Sequence, residues 1–265
     1  MAYTNIDNPE LYFQTKLYTG NGSTNAITLD GSENMQPDLV WLKERSSAGA
    51  GLLFDAVRTA TKFVRSSDSA AEVTAADTLT AFNSDGFTLG ADASNYASNQ
   101  NSETYASWNW KAGTSFTNDA SATGIGTIDS TGSVNDTAGF SIVSYTGTGS
   151  AGTIKHGLST VPKMIIVKNR DATQHWGVYH VGIGNTKHLR LNSTNAASDS
   201  NNLWNNTTPT SSVFSVAGQD MVNKSGDDSI AYCFTEKKGY SKFGSYTGGS
   251  DPFVYLGFKP AFVMF

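Results

Sequence analysis

The residues able to do chemistry are few and scattered. His175 and His180 flank Trp176 and Tyr179, and their odd spacing puts them on opposite faces of a strand, which argues against one shared metal ion. Asp227-Asp228 after Ser225-Gly226, and Asp30-Gly31 after Leu29, offer carboxylate oxygens. Neither has the regular ligand spacing of a calcium loop, and turn chemistry accounts for both. Serine and histidine are present without a Gly-x-Ser-x-Gly elbow. No carboxylate pair can be nominated for glycoside cleavage. The single cysteine, Cys233, lies in the apolar run Ile230-Ala231-Tyr232-Cys233-Phe234 and reads as a small buried hydrophobe, with no internal disulfide available. The expectation is a protein that is not an enzyme and uses no cofactor or metal. Trp108 and Trp110 share a face of a strand and could stack on sugar rings. With Trp176 and Trp204 they are the candidate glycan contacts. Tyr232 and Phe234 stand at matching places later in the chain, which supports core packing as the competing reading.

The elements that hold these residues are organised by repetition. Pro37-Asp38-Leu39-Val40-Trp41-Leu42-Lys43-Glu44-Arg45 returns as Pro162-Lys163-Met164-Ile165-Ile166-Val167-Lys168-Asn169-Arg170, and its start returns again as Pro260-Ala261-Phe262-Val263-Met264-Phe265. A short apolar run rich in Val, Ile and aromatics reads as a strand buried on both faces, with proline tolerated at its first residue. A second motif keeps step with the first. Leu17-Tyr18-Thr19-Gly20, Ser144-Tyr145-Thr146-Gly147 and Ser245-Tyr246-Thr247-Gly248 each precede one proline run by a similar interval. Two motifs in one register mark an internal repeat. Thr61-Lys62 with Thr186-Lys187, Phe87-Thr88-Leu89 with Phe214-Ser215-Val216, and Trp108-Asn109-Trp110 with Tyr232-Cys233-Phe234 extend it. Leu52 to Arg58 and Trp176 to His180 are further strand candidates. Thr78 to Leu89 reads as two strands around Ser84-Asp85-Gly86. No long helical period is present, and Ala70 to Ala76 makes one helical turn at most.

These signals predict an all-β protein of tandem antiparallel β-sandwich modules, jelly-roll or lectin-like in style. Residues 1–14 form an N-terminal arm, 15–113 the first repeat and 139–239 the second. Residues 114–138, made of Gly, Ser, Thr, Asn and Asp around isolated apolar residues, read as a linker. Residues 240–265 either start a third repeat or supply a strand pair completing the second. Phe265 aligns with Leu42 and Val167, each followed by lysine, so the natural chain is expected to continue with a polar or basic residue. Charged residues are only 15% with a net charge of -5, which argues against nucleic-acid binding and against a polybasic membrane patch. No apolar segment has the length of a membrane span, and the N-terminus lacks the basic and apolar regions of a secretory signal, so neither membrane insertion nor export is expected.

Tyr18-Thr19-Gly20-Asn21-Gly22-Ser23-Thr24, Pro37 to Lys43, Leu52-Leu53-Phe54-Asp55-Ala56-Val57-Arg58, Ser84 to Gly90 and Trp108-Asn109-Trp110-Lys111-Ala112-Gly113 in the first unit resemble a recurrent module of tailed-bacteriophage structural proteins. His156-Gly157-Leu158, Pro162 to Arg170 and Ala231-Tyr232-Cys233-Phe234 resemble the same module in the second, so nearly everything after residue 15 is covered. The resemblance, to marine and cyanophage-type virion proteins, implies a virion component made in the host bacterial cytoplasm. A tail fibre or appendage is the first expectation, anchored by its N-terminal part and contributing to host-surface binding. A capsid decoration protein or head fibre, and a carbohydrate-binding lectin-like module, are the rivals. The expected partners are other virion proteins of tail or capsid, a host cell-surface glycan, and further copies of the chain, with a homotrimer favoured by family analogy.

Overall fold

The computed structural model describes residues 4–199, 203–250 and 253–265. After a short 3-10 turn at Pro9–Leu11, the first half of the chain forms β1 (Phe13–Thr19), β2 (Asn25–Ile27), β3 (Leu39–Glu44), β4 (Gly51–Asp55), β5 (Lys62–Arg65), β6 (Val73–Thr74), β7 (Leu79–Asn83), β8 (Gly86–Leu89) and β9 (Thr104–Trp110). Then follow β10 (Thr114–Asn118), α1 (Ala120–Thr123), β11 (Ser130–Asn135), β12 (Phe140–Thr146), β13 (Gly152–Lys155), β14 (Met164–Asn169), β15 (Gly177–His180), β16 (Lys187–Arg190), β17 (Ser198–Asp199), β18 (Val213–Val216), α2 (Asp220–Asn223) and β19 (Asp228–Phe234). The fold is all-β, and its sheets are antiparallel.

Two large sheets dominate. One has the order β1-β9-β3-β4-β5-β6, and the other β10-β11-β12-β19-β14-β15-β16-β17. Small sheets β2-β8-β7 and β13-β18 accompany them. From β12 onward the second large sheet repeats the order of the first. The registers agree as well: Trp110 stands between Phe13 and Leu39, and Phe234 stands between Phe140 and Met164.

Alternation of side chains places each core. Val40, Leu42, Leu52, Phe54 and Phe63 face the small sheet's Ile27, Leu79, Phe87 and Leu89. Val143, Tyr145, Ile165, Val167, Ala231 and Cys233 face Ile154, Phe214 and Val216. The opposite faces of the two large sheets pack on each other through Leu39, Leu53, Val64, Phe140, Ile142, Met164, Ile166, Trp176, Val178, Ile230 and Tyr232. Each large sheet is therefore buried on both faces over its centre, which is why β3 and β14 read as unbroken apolar runs rather than alternating ones. Full burial of a side chain of this size contributes about 1.5–3 kcal/mol relative to leaving it exposed.

A polar network crosses that apolar interface. Arg58, just beyond β4, is fully buried and donates to Asp55 at 2.5 Å, Glu72 at 3.0 Å, the Leu53 carbonyl at 2.8 Å and the Tyr232 hydroxyl at 3.2 Å. Tyr232, from β19, donates its hydroxyl to Asp55 at 2.8 Å. Glu72 takes two bonds from Arg170, each 2.9 Å. Burial works to raise the Glu72 pKa, but the Arg170 hydrogen bonds and the Arg58 charge outweigh it, and the carboxyl is held below its usual range.

Several expectations need correction. Residues 114–138 are not a linker: they hold β10, α1 and β11, and β11 pairs along β12. Their polar composition suits outer strands; Ile128 is buried in the core, and Phe116 and Val134 pack against it. The arm expected over 1–14 already enters β1 at Phe13, and Ile6 is buried. Residues 240–265 form no strand among the described residues, so the strand pair expected to complete the second repeat is not present there. Ala70 to Ala76 contains β6 rather than a helical turn, whereas the two Ser84-Asp85-Gly86 strands form as β7 and β8.

Candidate functional site

The tryptophans divide into two groups. β3 and β9 set Trp41 opposite Trp108, with ring centres 6.2 Å apart, and Trp110 lies two residues along the same face opposite Phe13 at 4.9 Å. All three are half-buried. Phe262, from the segment after β19, sits 6.0 Å from Trp108, 5.4 Å from Trp110, 6.5 Å from Trp41 and 6.1 Å from Phe13. The aromatic platform therefore exists, with a side chain of the same protein resting on it. Trp176 and Trp204 do not belong to it. They are 0% and 1% exposed. Trp176 stacks on Tyr232 and donates its indole N–H to the Arg65 carbonyl at 2.8 Å, and Trp204 packs edge-on against Tyr179. Neither offers a face to a glycan, because both fill cores instead.

A cleft of about 370 Å³ opens between the β10–β11 hairpin and the near ends of β3 and β4. Ser115, Thr117, Thr131 and Ser133 bring hydroxyls to it, Asp38 a carboxylate and Phe116 a ring. Asp38 accepts from the Ala112 N–H at 2.8 Å, and burial raises its pKa against that bond. The Phe116 ring lies on the bare backbones of Gly132 and Gly157, where a Cβ would come within 2.7 and 2.8 Å of it, and the Lys155 ammonium stands 5.8 Å from its centre. Its lining supplies hydroxyl and carboxylate groups able to hydrogen-bond. Sequence reasoning missed this cleft, since its hydroxyls lie in the stretch read as a linker.

The other candidate residues are occupied locally. His175 bonds with Asn192 ahead of β15, and His180 Nδ1 accepts from the Gly182 N–H at 3.0 Å, so the two are not brought together. Asp30 pairs with Lys16 at 3.0 Å. Asp227 accepts from Asn169 and Lys224, and Asp228 from Thr146. Among the described residues no group of three or more His, Cys, Asp or Glu could hold a metal ion. Burial pushes the Cys233 thiol up to about 12, so it is protonated at neutral pH and a poor nucleophile. No helix among the described residues is long and apolar enough to cross a membrane.

No curated protein and no solved structure matches the chain. A family model does, described as Domain of unknown function (DUF7483), and it matches residues 8–265, from the 3-10 turn through both large sheets to the last residue of the sequence. The chain belongs to the DUF7483 family.

Proposed function

We propose that the chain is a non-enzymatic structural component of a tailed-phage virion, a tail fibre or related appendage built from two copies of one β-sandwich module. The observation that carries this reading is the repeated sheet: β1-β9-β3-β4-β5-β6 and β12-β19-β14-β15-β16-β17 share order and register, and the resemblance noted in their strands is to virion modules. Stacked copies joined through an apolar interface suit a part that extends and bears load. In this reading the N-terminal part anchors the chain to the particle, later surfaces face the host, and copies associate, a trimer being the family expectation. Gold-labelled antibody imaging of intact virions tests it. Label at the tail supports the fibre, label over the head replaces it with capsid decoration or a head fibre, and particles without label sink both.

A carbohydrate-binding role is the second reading, favoured by the hydroxyl-lined cleft beside Asp38. Binding on a glycan array that is lost on Asp38→Ala together with Thr117→Ala supports it, and an array without signal removes it.

A further inference from the structure

The two repeats differ at one edge. In the second, β12 bonds to β19 on one side and to β11 on the other. In the first, β1 bonds to β9, and among the described residues no strand lies on its other side. The phase of the ladder shows what is left open. Lys111 N–H donates to the Tyr12 carbonyl at 3.0 Å, and Gly20 N–H donates to the Glu103 carbonyl at 2.8 Å. Even-numbered residues of β1 thus bond to β9, and the N–H and C=O groups of Phe13, Thr15 and Leu17 point outward. Their counterparts in the second repeat are Phe140, Ile142 and Ser144, which stand opposite Asn135, Ser133 and Thr131 of β11. The side chains of Phe13 and Leu17 lie on the same face as Trp108 and Trp110, and Leu17 is 61% exposed. This strip continues the apolar interface between the large sheets out to solvent.

The chain also carries a segment patterned as a strand that pairs with no strand among the described residues. Pro260 to Phe265 has the pattern of β3 and β14 but forms no strand, and Val263, Met264 and Phe265 are exposed, as are Phe253 and Tyr255 upstream. Its Phe262 already rests against Phe13 at the head of the open edge. We propose that the outer edge of β1 is a self-association surface filled by the C-terminal segment around Phe262–Phe265 of a second copy, added as a strand where β11 lies in the second repeat. Main-chain bonds to Phe13, Thr15 and Leu17 give the addition its affinity, and the exposed Leu17, beyond the part of the strip that the chain's own Phe262 covers, gives it a side-chain contact. The contact joins unlike surfaces, so it builds open chains, rings or a pair that exchanges segments reciprocally. It does not depend on the virion reading.

Two chains with one added cysteine each test this, since native Cys233 is buried. Full-length Leu17→Cys is mixed with full-length Val263→Cys under mild oxidation, and mass is followed by sedimentation. The expected result is a disulfide between unlike chains, and a wild-type mass that rises with concentration. Thr15→Pro abolishes both, because its N–H faces outward and its loss costs no bond to β9. A concentration-independent monomer without the cross-chain disulfide overturns the proposal. So does a Leu17→Cys/Val263→Cys chain that closes within one monomer, or association that survives Thr15→Pro.

Discussion

Tyr232→Phe removes one oxygen from the middle of the interface between the large sheets. That hydroxyl donates to Asp55 at 2.8 Å and accepts from Arg58 at 3.2 Å, and all three side chains are buried. Hydrogen bonds to charged groups contribute about 1.5–3 kcal/mol each, and the longer one belongs at the low end. The ring stays, and its stacking on Trp176 is unchanged, so no cavity cost is added. Asp55 keeps its ion pair with Arg58, which limits the penalty. The expected loss is about 2–4 kcal/mol, below the roughly 3–5 kcal/mol expected of Arg58→Met, which leaves a buried carboxylate without its cation. Urea unfolding followed by tryptophan fluorescence reads both, with the slope of the transition unchanged for Tyr232→Phe. A loss under about 0.5 kcal/mol for Tyr232→Phe would mean that the hydroxyl contributes no net stability, and the network would then not be what joins the sheets.

Lys168 is buried and donates to the carbonyls of Ser69, Asn169 and Ala172, and burial brings its pKa down to about 8. Lys168 therefore binds its proton less in the folded chain than in the unfolded one between pH 8 and 10.5, and its own contribution to stability rises with pH across that window by up to about 3 kcal/mol, opposed above pH 9 by the Cys233 thiol that burial keeps protonated. Thermal melts of wild type and Lys168→Met should diverge with pH across that window, the wild type gaining stability relative to the variant. Burial also brings His156 down to about 4 despite its bond to the Thr210 carbonyl, so its contribution is present above pH 6.5 and is lost as pH falls toward 4. The slope should approach about 1.4 kcal/mol per pH unit within the window and flatten in His156→Gln, measured by urea titration at each pH. Gly86 has φ 102° and a Cβ there would come within 2.0 Å of the Ile27 carbonyl oxygen. Gly86→Ala should lower stability by more than about 1 kcal/mol in calorimetry, and a neutral result would contradict the close approach of β8 to β2.

The two proline runs announced β3 and β14 because a central strand buried on both faces needs an unbroken apolar stretch, and little else has one. The paired Trp108-Asn109-Trp110 and Tyr232-Cys233-Phe234 were legible for the same reason, as strands standing beside those runs. The β10–β11 hairpin was not, because its residues are polar and carry a weak two-residue alternation. Trp176 and Trp204 were misjudged as glycan contacts because an aromatic residue looks the same in sequence whether it fills a core or faces a ligand. The Asp55–Arg58–Tyr232 cluster was equally silent: a strand pattern over Leu52 to Arg58 says nothing of a tyrosine from the far end of the chain. The repeat of Pro260 to Phe265 was visible, but sequence similarity to a strand does not supply the neighbour that a strand needs.

In each large sheet the strand that comes last in sequence lies inside the sheet: β9 between β1 and β3, and β19 between β12 and β14. A growing chain that has left the ribosome up to Glu103 thus holds a first and a third strand with nothing between them, and each repeat stays open until its final strand, Thr104–Trp110 or Asp228–Phe234, has emerged. Closure joins residues far apart in sequence, which slows folding. The apolar face of the first sheet then waits in water through the synthesis of the whole second repeat, a period in which nascent chains held close on one message could pair with each other before they pair with themselves.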